Sequence, residues 1–375
     1  MHFLATGIRP YSDIGDVTDA PQAATASVLM PAAEASSATV APVSPEEIRP
    51  PFTIRVVPTA PSPISSLAVL SRITAITAVI TQAGIAVTGS VVRVTGSGLG
   101  CPAWPQCFPG SLVPQPHPEI ATLHQWIEFG NRLLTGLVGL VGLACLVLAL
   151  LLRPRRRRLV LLAATMPAGV VLQAVLGGIT VLTGLAWWTV AVHFLVSMLL
   201  VWLAVLLVAA FGEGDAPPRW HLPGPLRGLL VTTIVVLAAL LIVGTLVTSA
   251  GPHAGSAATP RLAVSVPVLA QLHADLLVGF LGLLTGLGFA LRATGVPGRT
   301  WRCYLVLVCV VLAQGTLGIV QYLSRVPETL VSLHVLGAAS VVVAMATLWT
   351  NCRVRDDLLP VTVSSTRPLA GASTT

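Results

Sequence analysis

The sequence predicts an all-α polytopic membrane protein, with eight transmembrane helices arranged as two tandem four-helix bundles in a pseudo-symmetric repeat. Three observations predict it. The 375-residue chain is 54% hydrophobic and only 9% charged, where a soluble domain carries about 25% charged residues. Apolar runs of about 20 residues, the length that crosses the hydrocarbon core, recur along it. Sequence markers of the third and fourth runs return in the seventh and eighth.

Residues 1–66 are rich in Ala, Pro, Ser, Thr and Val and hold no continuous apolar stretch. They lack the charged region, apolar core and cleavage site of a secretory signal. A disordered cytoplasmic extension is expected there, with Met30 as an alternative start. The spans follow at 67–92, 127–152, 159–184, 186–212, 228–249, 268–291, 303–323 and 331–351. Trp187 and Trp188 mark the junction of the third and fourth as interface anchors. The division is an N-terminal four-helix unit (67–212), a cytoplasmic linker (213–227), a C-terminal four-helix unit (228–351) and a cytoplasmic tail (352–375).

The net charge of +7 comes from arginine alone. The arginines sit between and at the ends of the apolar runs, so they read as topology signals; the expected partner is a lipid bilayer, not nucleic acid. The segment RPRRRR at 153–158 is the strongest signal, and Arg219, Arg227, Arg292, Arg299, Arg302, Arg353 and Arg355 fall on its side. Opposing loops hold only Arg93, Arg261 and Arg325. Both termini are then cytoplasmic, and the loops 93–126 and 250–267 face outward.

Ionisable groups inside a bilayer are costly and usually serve a site. His193, His273 and His334 open the fourth, sixth and eighth spans, all running inward, so they share one depth in the outer half of the membrane. Gln173-x2-Leu176-Gly177 precedes His193 as Gln314-x2-Leu317-Gly318 precedes His334, with Gln twenty residues ahead of His in both. Thr95–Gly98 resembles Thr248–Gly251, and Asn131 falls near the place of His273. Facing helices in four-helix bundles build cofactor sites from such side chains. His273 and His334 are a natural axial pair for one haem iron, since two imidazoles close both axial positions. The first unit offers His193 with Asn131 opposite, and an amide is a poor iron ligand. The same histidines also suit helix-packing hydrogen bonds.

Cys101 and Cys107 lie in the first outward loop, in CPAWPQC. Outside the cytosol that spacing favours a disulfide, which could be redox-active. A metal site is disfavoured, because two thiols seldom suffice and His117 and His124 are not at finger spacing. Glu128, Asn131 and Arg132 share one helix face. Glu128 and Arg132 read either as a structural ion pair, or as a carboxylate aimed at substrate with the arginine near a haem propionate. Asp275 reads as structural. Gly282-x3-Gly286 fits a close helix contact.

These residues resemble the haem A synthase family over most of 67–352. The resemblance rests on VTGSGLGCPAWPQC (94–107), IEFGNRL (127–133), QAVLGGITV (173–181) with VHF (192–194), GTLVTSAGPHAG (244–255), QLHAD (271–275) and SLHVLGA (332–338). It implies oxidation of a methyl group of haem O to the formyl of haem A, for terminal oxidases. It implies haem b held by His273 and His334, haem O received by the N-terminal unit through His193, Asn131 and Arg132, Glu128 as the catalytic carboxylate, and Cys101 with Cys107 as the first-loop pair. A complex with the haem O-producing farnesyltransferase, and an electron acceptor, are further implied partners. The chain departs from the family pattern twice. Asn131 stands where a histidine is usual, leaving His193 as the sole strong iron ligand of the first unit. The loop 251–267 carries no second cysteine pair. Two other classes use the same histidines: a b-type electron-transfer cytochrome, and a haem transporter or chaperone without catalysis.

Overall fold

The computed structural model describes residues 63–355; the expected extension up to residue 62 and the tail from 356 lie outside them. Eight helices are long and apolar enough to cross a membrane. They are α1 (Pro63–Val94), α2 (Thr122–Leu151), α3 (Arg157–Leu182), α4 (Trp187–Gly212), α5 (Gly224–Ala250), α6 (Val266–Ala293), α7 (Gly298–Leu323) and α8 (Glu328–Asn351). Large apolar side chains such as Leu140, Val278 and Phe289 stay exposed on their outer faces. In water that would be a liability, but a lipid-facing surface requires it, and the helical backbone bonds are satisfied within each span.

Helix ends follow local chemistry. Proline at the first turn opens α5 and α6, where its missing N–H costs nothing. Between α3 and α4 the chain turns through positive φ at Gly184 and Leu185; between α7 and α8, Arg325 and Val326 do the same. These are equivalent positions of the repeat. In both turns the second residue's N–H closes the helix, Leu185 onto Thr180 and Val326 onto Gln321 (2.8 Å each). A β-branched residue at positive φ is strained, and the carbonyl of Val326 is held by His253 Nε2 at 2.9 Å.

The observed α2 begins five residues ahead of the expected span. Its first turns are polar yet helical because the loop between α1 and α2 packs on them: His124 Nδ1 meets Ser97 Oγ at 2.8 Å, and Gln125 donates to the Ile120 carbonyl at 3.0 Å. Periodic apolarity cannot reveal a turn whose partners are loop atoms.

The first four helices close a ring, α1–α2–α3–α4–α1. The last four follow the same order, but the α6–α7 and α5–α8 seams are much thinner than their counterparts. The halves meet through α1, α4, α5 and α8, around a core of Met198, Val201, Ala339 and Val342. Each half also has its own core, centred on Met166, Leu159 and Leu207 in the first and on Phe280, Leu287 and Leu307 in the second. At the arginine-rich end, the segment between α4 and α5 is pinned down. Strand β1 (Arg219–Trp220) pairs antiparallel with β2 (Arg353–Val354), and Glu213 takes Arg158 at 3.2 Å and Arg355 at 3.7 Å.

The close contact expected at Gly282 and Gly286 is not there; a Cβ at either would meet nothing within 4 Å. Close approaches occur at Gly177, Gly244 and Gly318 instead, where the neighbours are the three histidines.

Candidate functional site

One cavity of about 850 Å³ opens between the helices towards the disulfide-loop end. That volume lies in the upper part of the range for small-molecule and cofactor pockets. Glu128, Asn131 and Arg132 of α2, His193 of α4, His273 of α6 and His334 of α8 all line it. Residues that the sequence spreads over two units therefore share a single continuous space.

Each imidazole rests on a glycine of the preceding helix. A Cβ on Gly177 would stand 3.4 Å from His193 Cε1; on Gly244, 3.2 Å from His273 Cε1; on Gly318, 3.1 Å from His334 Cε1. The fourth equivalent is Gly89, whose Cβ would lie 4.0 Å from Asn131 Nδ2. The contacts set the repeat register: Gly89 corresponds to Gly244, so Thr95 aligns with Ala250 rather than with Thr248 as the sequence comparison has it. They also put Asn131 at the structural position of His273. Two glutamines complete the symmetry. Gln173 Nε2 donates to the His193 carbonyl at 3.1 Å, and Gln314 Nε2 to that of His334 at 2.9 Å. The helix segment bearing each of these rings is tied to its neighbour.

The three imidazoles have no hydrogen-bond partner at Nδ1, which is buried in each. Buried polar atoms are normally satisfied, and exceptions need a reason. Among the described residues no group of three or more His, Cys, Asp or Glu side chains converges on one point, so a bare ion finds no four-ligand cage. Porphyrin iron brings four nitrogens of its own and asks the protein only for axial ligands. His273 and His334 line the same cavity, and each could supply one such ligand. The donor set fits haem.

Glu128 is 5% exposed. Its Oε2 accepts the Cys101 N–H at 2.8 Å and its Oε1 takes Arg132 Nη2 at 2.5 Å. Arg132 also donates to the carbonyls of Cys101 (2.7 Å), Ala103 (3.0 Å) and Gln106 (3.0 Å). With its Nη hydrogens spent, only Nε–H remains for anything in the cavity. Cys101 and Cys107 are joined in a disulfide, packed with Phe108 against Ile120 and Phe129. The loop they close sets Trp104 and Pro105 into the cavity wall, with Trp104 so near Gly178 that any Cβ there would collide with the indole. Asn131 Oδ1 accepts from Thr88 Oγ1 at 2.7 Å. Asp275 stays outside the cavity, holding Gln271 at 2.7 Å on an exposed face.

Sequence reasoning missed the glycine saddles, although Gly177 and Gly318 recur at one spacing before their histidines. It also missed Arg93, Trp104 and His253 as cavity residues; spacing carries no signal for side chains that meet only through loops.

A family model described as cytochrome oxidase assembly protein matches residues 72–346. Among curated relatives, a heme A synthase of Symbiobacterium thermophilum is 37% identical over 128 residues, covering 34% of this chain and 40% of that protein. One from Alkalihalophilus pseudofirmus is 33% identical over 141 residues, covering 36% and 46%. One from Halalkalibacterium halodurans is 29% identical over 182 residues, covering 48% and 58%. The matched stretches thus span about half the length of these relatives.

Proposed function

The chain belongs to the cytochrome oxidase assembly protein family, and on that premise we propose that it is a membrane oxidoreductase converting haem O to haem A for terminal oxidases. The observation that carries the proposal is the single cavity shared by His193, His273, His334 and Glu128.

His273 and His334 would hold haem b. Bound there, the haem would supply electron transfer, which the oxidation of an inert methyl group demands. The N-terminal unit (67–212) receives haem O, and the C-terminal unit (228–351) keeps the resident haem. His193 binds the substrate iron, and Asn131, across the cavity, leaves the opposite face free of a strong protein ligand. Glu128 accepts a proton from the methyl carbon or stabilises cationic character on it. The N–H of Cys101 and the guanidinium of Arg132 hold that carboxylate in a fixed orientation. Arg132 serves substrate binding chiefly by fixing the disulfide loop, whose Trp104 walls the cavity and excludes water. The protein supplies position and electrostatics, while the porphyrin carries the chemistry.

In the cell membrane the arginine-rich end and both termini face the cytoplasm, and the disulfide end faces outward. Haem O arrives from the protohaem farnesyltransferase within the bilayer, and a separate acceptor removes electrons.

The test is extraction and chromatography of haem from cells that make haem O. The wild-type chain yields haem A; Glu128→Ala keeps its haem b spectrum and yields none. Conversion persisting in Glu128→Ala removes the carboxylate from the reaction, and no haem A from the wild type removes the function.

A further inference from the structure

Arg93 and Arg261 place positive charge against the cavity with no carboxylate to balance it. Arg93 ends α1 and lines the cavity where the halves meet. Its Nη2 donates to the Thr248 carbonyl of α5 at 2.7 Å, while its Nε is buried without a partner. Arg261, in the loop between α5 and α6, donates to the Gly251 carbonyl and acts on Arg93 by charge repulsion. It adds positive potential from behind the wall. Glu128 is the one acid among the cavity-lining residues, and it is already engaged by Arg132 and Cys101. Neither Arg93 nor Arg261 has an ion-pair partner among the described residues. Two neighbouring cations, one with an orphaned buried donor, are costly unless an anion joins them.

The position is specific. Arg93 is one helical turn beyond Gly89, the glycine facing Asn131, and Thr248 is one turn beyond Gly244, the glycine facing His273. The charge therefore lies about 6 Å further out than the level of those ligand positions, at 1.5 Å per residue. The outward loops meet at the same point: Gly98 N–H donates to the Gly255 carbonyl at 3.0 Å, and a Cβ on Gly255 would lie 3.8 Å from Arg93 Cγ.

We infer that Arg93, backed by Arg261, is a carboxylate seat that takes a propionate of a porphyrin bound in this cavity. The inference rests on the haem reading above and names the group that anchors the ring's polar edge. Arg132 is the residue that sequence spacing favours for that task, but its Nη donors are committed to the disulfide loop. A guanidinium with free N–H groups is the donor that carboxylates prefer. A small free anion carries the same charge, and the experiment separates the two sources.

Purified full-length protein in detergent is titrated with haemin and with haemin dimethyl ester, following the Soret band. The wild type binds the diacid about tenfold more tightly than the diester, the size of one charge-assisted contact. Arg93→Gln brings the two affinities together, Arg93→Lys keeps part of the preference, and Arg261→Gln reduces it about threefold through the lost background charge. Equal wild-type affinity for both ligands overturns the seat and assigns the charge to a free anion. A full preference retained in Arg93→Gln overturns it too. If Arg93→Gln does not fold, the wild-type comparison and Arg261→Gln still decide. Failure of the wild type to bind either porphyrin overturns the haem reading itself, along with the seat.

Discussion

The imidazole of His334 lies against Gly318 of the preceding helix, so close that a Cβ at the glycine would sit 3.1 Å from Cε1. Valine there has no room unless the ring moves. Overpacking of this kind costs about 1–3 kcal/mol, and it falls directly on the proposed ligand. Gly318→Val is expected to lose most of the resident haem, read as haem per protein. Gly177→Val, at the equivalent saddle under His193, is expected to keep that haem and weaken substrate binding. Gly282→Ala faces open space and is expected to be neutral. Normal haem content in Gly318→Val would separate the saddle from the ligand.

Asn131 and His273 occupy equivalent places, each on its own glycine, Gly89 and Gly244. Restoring the symmetry with Asn131→His is expected to give the first half two facing imidazoles. Ferrous haem O added to the wild type binds carbon monoxide on its open face; in Asn131→His it becomes six-coordinate and low-spin, and carbon monoxide binding falls by tenfold or more. Two strong axial ligands leave no free position. An unchanged optical spectrum and unchanged carbon monoxide binding would show that residue 131 does not face the iron.

The eight spans were legible because hydrophobic length is a one-dimensional property, and what escaped it were end turns beyond the apolar runs, most of all the first five residues of α2 and of α7. The histidines were legible because charge in lipid is rare and because the repeat gave His193 and His334 the same glutamine. What the linear pattern could not carry was the join between halves. Nothing in the spacing of Arg93 and Thr248 announces their hydrogen bond, since it crosses most of the fold. Nor could it decide how Arg132 is used. Its place one turn after Glu128 fits an ion pair and a ligand contact equally, and the choice is made by three loop carbonyls brought over it by the Cys101–Cys107 bridge.

That clamp has a consequence for the disulfide. Arg132 holds the carbonyls of Cys101, Ala103 and Gln106, and both bridge cysteines are fully buried. Reduction requires a thiolate to reach a sulfur, so the loop must first lift from α2. Arg132→Gln removes most of the clamp and leaves Glu128 without its cationic partner. Loss of several charge-assisted bonds, each about 1.5–3 kcal/mol, is expected to speed reduction by dithiothreitol at least tenfold, followed by thiol alkylation and mass spectrometry. Equal rates in the two proteins would mean that access to the bridge does not depend on this arginine.

Cys352, just past the end of α8, is fully buried, and burial pushes its thiol up to about 12. The thiolate is the reactive form, so at neutral pH almost none is present. Alkylation of Cys352 by iodoacetamide is expected to be negligible at pH 7 and to climb about tenfold per pH unit without levelling below pH 11. The sign for stability follows. An unfolded thiol ionises near 9.0, so between that value and about 12 the folded state holds a proton the unfolded state has lost. Stability is then unaffected below pH 9 and falls as pH rises through the window. Cys352→Ala should flatten that alkaline loss, measured as thermal unfolding at pH 8 and pH 10.5. A labelling rate that saturates near pH 9 would show that the thiol is reached by water in the folded protein, and that the β1–β2 pairing beside it opens readily.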